Sequence, residues 1–161
     1  MPTSDKYTFR SGSQAVAAVV ATPVLSVIGA ATVRGWAQGC RVKVGVTAAA
    51  VGNDLLFQLA RPGNTPTGTG AFNGGAHDFS APAGILQGYT TWSTAPTVGT
   101  ILAEWVVPQT TGSAWEEFPP TDDEWQIPAI ANAAANAGLH LFVTPSVATS
   151  TPVFVDLICS I

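Results

Sequence analysis

The sequence predicts an all-β fold, an antiparallel β-sandwich or barrel of about eight strands with long Gly/Pro-rich loops, and three observations carry that expectation. Apolar residues alternate with polar ones at a period of two in several runs, as half-buried strands require. Dense Gly and Pro punctuation separates those runs. Helical periodicity is almost absent, so less than roughly a tenth of the chain is expected in helix.

The opening residues, 1–12, read as a flexible arm, polar apart from Tyr7 and Phe9 and carrying Lys6 and Arg10; residues 13–161 form one domain. Such an arm is expected to order only against a partner, with Tyr7 and Phe9 as anchors. Val24 to Ile28 is a weaker strand signal. Cys40, Val42, Val44 and Val46 fall on one face of the next strand, with Arg41 and Lys43 opposite. Leu55, Phe57 and Leu59 alternate with Leu56, Gln58 and Ala60, so this strand is apolar on both faces and belongs at a sheet centre or in an interface. From Pro62 to Gly75 the Pro, Gly and Thr residues predict a long loop outside regular structure. Thr100 to Val107 and Ala114 to Phe118 are further strand candidates, the first with Trp105 in its core pattern. Ile130 to Ala137 is compatible with one helical turn, ended by Gly138. Leu139, Leu141 and Val143 then alternate with His140 and Phe142, which places His140 towards solvent or a subunit partner. Val153, Val155, Leu157 and Cys159 close the chain on one face of a final strand. The expected core comprises Cys40, Val42, Val44, Val46, Phe57, Leu59, Leu139, Leu141, Val155 and Leu157.

Composition restricts the function class. Of 161 residues, 47% are hydrophobic and only 10% charged, where about 25% is usual. The apolar share is enough for a core, so the chain is not disordered. No run approaches the roughly 18 apolar residues of a membrane span. A net charge of −4, with six basic residues mostly scattered in sequence, argues against nucleic acid. No signal peptide is visible at the start, which implies folding in a cytosol. A surface this poor in charge suits a subunit packed against other subunits.

Chemistry-bearing groups are few. His77-Asp78 lies in a Gly-rich stretch, but neighbours in an extended chain point apart, and two residues make no metal site. Cys40 and Cys159 lack metal-ligand spacing and read as buried thiols, with a disulfide between adjacent strands as the alternative. Glu116, Glu117, Asp122, Asp123 and Glu124 concentrate acid around Pro119-Pro120, which reads as a solvated loop or one facing a basic patch on a partner. No Gly-x-Ser-x-Gly elbow or phosphate loop occurs. Of the tryptophans, Trp92, Trp115 and Trp125 are candidates for anchoring subunit interfaces in preference to stacking on sugars.

The layout resembles the jelly-roll capsid decoration (cement) proteins of tailed bacteriophages. The resemblance rests on the polar arm and short opening strand Thr8 to Ile28, leading to Thr32-Val-Arg, then on Asp54-Leu-Leu-Phe-Gln-Leu-Ala-Arg61 running into the Gly/Thr/Pro loop. Trp115-Glu-Glu-Phe-Pro-Pro, Trp125-Gln-Ile, Gly138-Leu-His-Leu-Phe-Val143 and the final apolar strand complete it. It implies a jelly roll, a homotrimer, a place on the virion surface after synthesis in the host cytoplasm, and binding to the major capsid protein. It implies no catalysis and no cofactor or metal. A tail-associated or receptor-binding module that binds host glycan is the alternative. Interface candidates under either reading are Tyr7, Phe9, Arg10, Leu56, Trp92, Trp115 and Trp125.

Overall fold

A computed structural model describes residues 5–29, 34–45, 54–78, 86–109, 113–117 (backbone only), 126–127, 138–148 and 150–161. Fifteen strands follow in chain order: β1 Lys6–Arg10, β2 Gln14–Val16, β3 Thr22–Gly29, β4 Gly35–Val44, β5 Asp54–Pro62, β6 Thr67–Thr69, β7 Phe72–Asn73, β8 Gly75–Ala76, β9 Leu86–Tyr89, β10 Thr91–Thr94, β11 Val98–Pro108, β12 Ser113–Glu117, β13 Gln126–Ile127, β14 Leu139–Pro145 and β15 Thr151–Ser160. No helix occurs among the described residues. The fold is all-β, as expected, but with more and shorter strands than the expected eight.

Every pairing is antiparallel, in two main sheets. The first has the order β12-β4-β15-β1-β8, with β13 also on β4 and β2 on β15; the second runs β11-β5-β14-β3-β9-β7. Phe9, Cys40, Val42, Val155 and Leu157 from the first sheet share one buried cluster with Leu25, Phe57, Leu59, Leu139 and Leu141 from the second. Alternation explains this directly, since the residue between each of these inward positions faces away. Every expected core residue that is described is buried; Val46 lies outside the described residues.

Three expectations need correction. The first is the arm. Lys6–Arg10 is an inner strand, paired along its length with β15 and at Tyr7 and Thr8 with β8. Tyr7 and Phe9 are buried in the chain's own core at 4% and 0% exposure, not held out for a partner. Two alternating aromatics in five residues are a short strand signal, and burying Phe9 contributes about 2–3 kcal/mol. The second is the stretch from Pro62 to Gly75, which holds β6, β7 and the start of β8. The third is His140, which is wholly buried.

Cys40 and Cys159 are both buried and unbonded on neighbouring strands, opposite Leu157 and Ala37. Burial, reinforced by the nearby Cys40, pushes the Cys159 thiol far up, so it stays protonated and packs as a small hydrophobe. Burial also lowers Arg61 below its ordinary value, and its Nη1 donates to the Gly138 carbonyl at 3.1 Å.

Candidate functional site

The outward face of the first sheet gathers charge that is dispersed in sequence. On β1, Tyr7 and Phe9 point inward, so Lys6, Thr8 and Arg10 point out. The same parity turns Arg41 and Lys43 outward on β4, and Phe154 and Asp156 on β15. Register then aligns them: Arg41 opposes Asp156, which opposes Arg10, while Lys43 opposes Phe154. Four of the six basic residues thus share one face, and Asp156 is the one acid that β1, β4 and β15 place among them. Arg10 Nε lies 3.6 Å from Asp156 Oδ1, with the Arg10 side chain 75% exposed; such a contact contributes little to stability. Arg10, Arg41, Lys43, Phe154 and Asp156 line a shallow depression there. A second depression continues across β1, where His77 Nε2 sits 2.7 Å from Thr8 Oγ1. Among the described residues no three His, Cys, Asp or Glu side chains come together as a metal site.

The outward face of the second sheet is closed at one end and open at the other. Ser26, His140 and Tyr89 face outward there, His140 and Tyr89 each opposite Ser26. A small ladder of β6 and β10 lies over them. Gly68 approaches the Tyr89 ring so closely that a Cβ would overlap it. Trp92 Nε1 donates to Ser26 Oγ at 3.1 Å, and Ser26 Oγ lies 2.6 Å from His140 Nδ1. This network is why His140 is tolerated in the interior, since a buried polar group requires partners. The Ser–His distance matches that of a nucleophile and its base, but both side chains are 0% exposed, so no substrate atom reaches them in this arrangement. Ser26→Ala is expected to cost about 1–3 kcal/mol, because it removes the shared partner of two ring nitrogens. Trp92→Phe should cost less, about 1 kcal/mol, since only the donor is lost. Urea midpoints of the two variants check that order; equal midpoints with native would show that the network contributes nothing.

At the other end lies β11, which pairs only with β5 among the described strands. Val106, 62% exposed, stands opposite half-buried Leu56, and Ile101 is 44% exposed. Gln58 Nε2 donates to Glu104 Oε2 at 3.3 Å between them. The strand that is apolar on both faces is thus central, and its second face is only partly covered.

Of the interface candidates, Arg10 and Leu56 are accessible, whereas Tyr7 and Phe9 are core. Trp92 is half-buried with its N–H turned inward. Trp115 stands opposite Arg41 in the β12–β4 ladder, and Trp125 lies outside the described residues. The basic row escaped the sequence reading because parity along each strand is legible but strand neighbours are not. For His140 a signal did exist: Phe142 shares its parity, and an outward Phe implies a covered face. No family model, curated protein or solved structure matches the chain.

Proposed function

We propose that this chain is a non-enzymatic structural subunit of a virion, a jelly-roll decoration protein that assembles as a homotrimer and bridges major capsid protein subunits. The observation that carries the reading is β11. It is eleven residues long, at the edge of its sheet among the described strands, and it exposes Ile101 and Val106. A long edge strand is a template for another chain, and β11 carries a single charge, Glu104, which Gln58 engages, with Pro108 only at its end. The low charge of the chain and the resemblance in its sequence layout support the same reading. A second copy burying about 800 Å² at this edge would remove the apolar side chains from water. The glycan-binding alternative has less support, because the Trp92 indole N–H is directed into the protein.

Light scattering at micromolar concentration is expected to return about three times the 16.5 kDa chain mass. Val106→Lys should shift it towards the monomer. Particles lacking the protein should release DNA at a lower temperature than complete particles. A monodisperse native monomer, with particles equally heat-stable without it, would rule the reading out.

A further inference from the structure

We propose that the outward face of β4, β15 and β1 is the docking surface for the acidic segment 116–124 of a second copy of this chain, in a head-to-tail contact. This rests on the reading of the chain as an oligomer and assigns the surface that receives the neighbour.

Charge is the first argument. The chain is acidic overall, with ten acids against six bases, yet Lys6, Arg10, Arg41 and Lys43 share one sheet face with Asp156. Half of the acids, Glu116, Glu117, Asp122, Asp123 and Glu124, fall within nine consecutive positions. One chain therefore carries a basic sheet face and an acidic run of sequence, and opposite charge of this kind steers association and fixes register.

Position is the second. β12 pairs with β4 at the rim of the first sheet, and β11 is the rim of the second, joined to it by the short connection 109–112. The apolar edge and the acidic segment therefore belong to adjoining strands of the chain. The basic face has matching components, since Phe154 is 39% exposed among the cations. Apolar plus acidic against apolar plus basic is complementary in both respects. Because the two surfaces differ, the contact is heterologous, and a threefold rotation would close it into the proposed trimer.

Exposure separates a neighbour from the same chain. The Arg10 side chain is 75% exposed and Lys6 is exposed, so the β1 end of the basic face is open to a second copy.

The test uses the full-length protein and two charge reversals. One variant carries Lys6→Glu and Arg10→Glu, on the exposed side of β1. The other carries Asp122→Lys, Asp123→Lys and Glu124→Lys. Lys6 and Arg10 are exposed, and circular dichroism should confirm native folding of each variant. Native protein is expected to self-associate with an affinity that falls about tenfold or more between about 0.05 M and 0.5 M salt, as screening of exposed charge requires. Each variant alone should be monomeric at concentrations where native protein is assembled. An equimolar mixture of the two should form one-to-one heterodimers, because reversed face then meets reversed segment, while a closed three-membered ring does not return, since an odd ring always keeps one contact between like variants. Native oligomers that neither variant disturbs would overturn the docking surface while leaving the oligomer reading intact, and native protein that is monomeric at every salt would remove both. Variants that dissociate but do not pair on mixing, with inorganic polyphosphate bound by native protein and not by the Lys6/Arg10 variant, would assign the face to a phosphate polyanion and overturn the proposal.

Discussion

Removing residues 1–12 is expected to abolish cooperative folding. The deletion takes out β1 with its ladders to β15 and β8, together with the buried Tyr7 and Phe9. Phe9→Ala alone should cost about 3–5 kcal/mol, as a large-to-small change at a fully buried site. In a domain of this size that corresponds to a fall of about 10 °C or more in melting temperature. The whole deletion exceeds that by the lost ladder and Tyr7, and native stabilities are only about 5–15 kcal/mol. The deleted protein should therefore show no cooperative thermal transition. Arg10→Ala, on the exposed side of the same strand, should stay within about 0.5 kcal/mol of native. Native-like melting of the deletion variant would restore the flexible arm and show that the core does not depend on β1.

Gly138→Ala should be the most damaging change to a residue that has no side chain. Gly138 opens β14 with φ of 88°, in the left-handed region that strains any residue with a Cβ. A Cβ there would lie 2.6 Å from the Val27 carbonyl oxygen and 2.9 Å from Ile28 Cγ1. That oxygen belongs to the backbone of a buried strand, directly across the ladder from Leu139, and has nowhere to move. The Gly138 carbonyl also receives the Arg61 guanidinium, whose partial burial makes loss of an acceptor costly. Together these give an expected loss of about 3 kcal/mol or more. Gly12→Ala is the control, since Gly12 has φ of 65° but nothing within 4 Å of a Cβ, which leaves only the conformational cost of about 1–2 kcal/mol. Urea midpoints compare the two. If Gly138→Ala is no worse than Gly12→Ala, the close approach to Val27 does not hold in solution.

Elements whose signal is local were legible in the sequence. Period-two alternation in Cys40 to Val44, Leu55 to Arg61, Leu139 to Val143 and Val153 to Cys159 identifies four long strands and the direction each side faces. What failed was decided by partners distant in sequence. Lys6–Arg10 carries a strand signal only in the alternation of Tyr7 and Phe9, too short to outweigh its polar neighbours until β15 is placed beside it. His140 reads as exposed until Ser26 and Trp92 arrive from 114 and 48 positions away. The cations at 6, 10, 41 and 43 look scattered because a ladder, not the chain, makes them neighbours. Leu56 is accessible as its own strand's pattern indicates, whereas the candidate Phe9 is buried by pairing that its own strand does not reveal.

The placement of β15 has a consequence for how this protein is made. It follows every other strand in chain order, yet it lies between β4 and β1 and also pairs with β2. Until it emerges, the first sheet has a vacant central lane, and β1 and β4 have no common neighbour. Closing a pairing across nearly the whole chain, Lys6 to Ser160, is slow because loop entropy is lost before contacts repay it. The second sheet has all its described strands by residue 145, whereas the first cannot close until residues 151–160 are made. The edges of β1 and β4 that face β15 stay unpaired until it is made, so ribosome stalling or premature termination before residue 151 leaves the first sheet open.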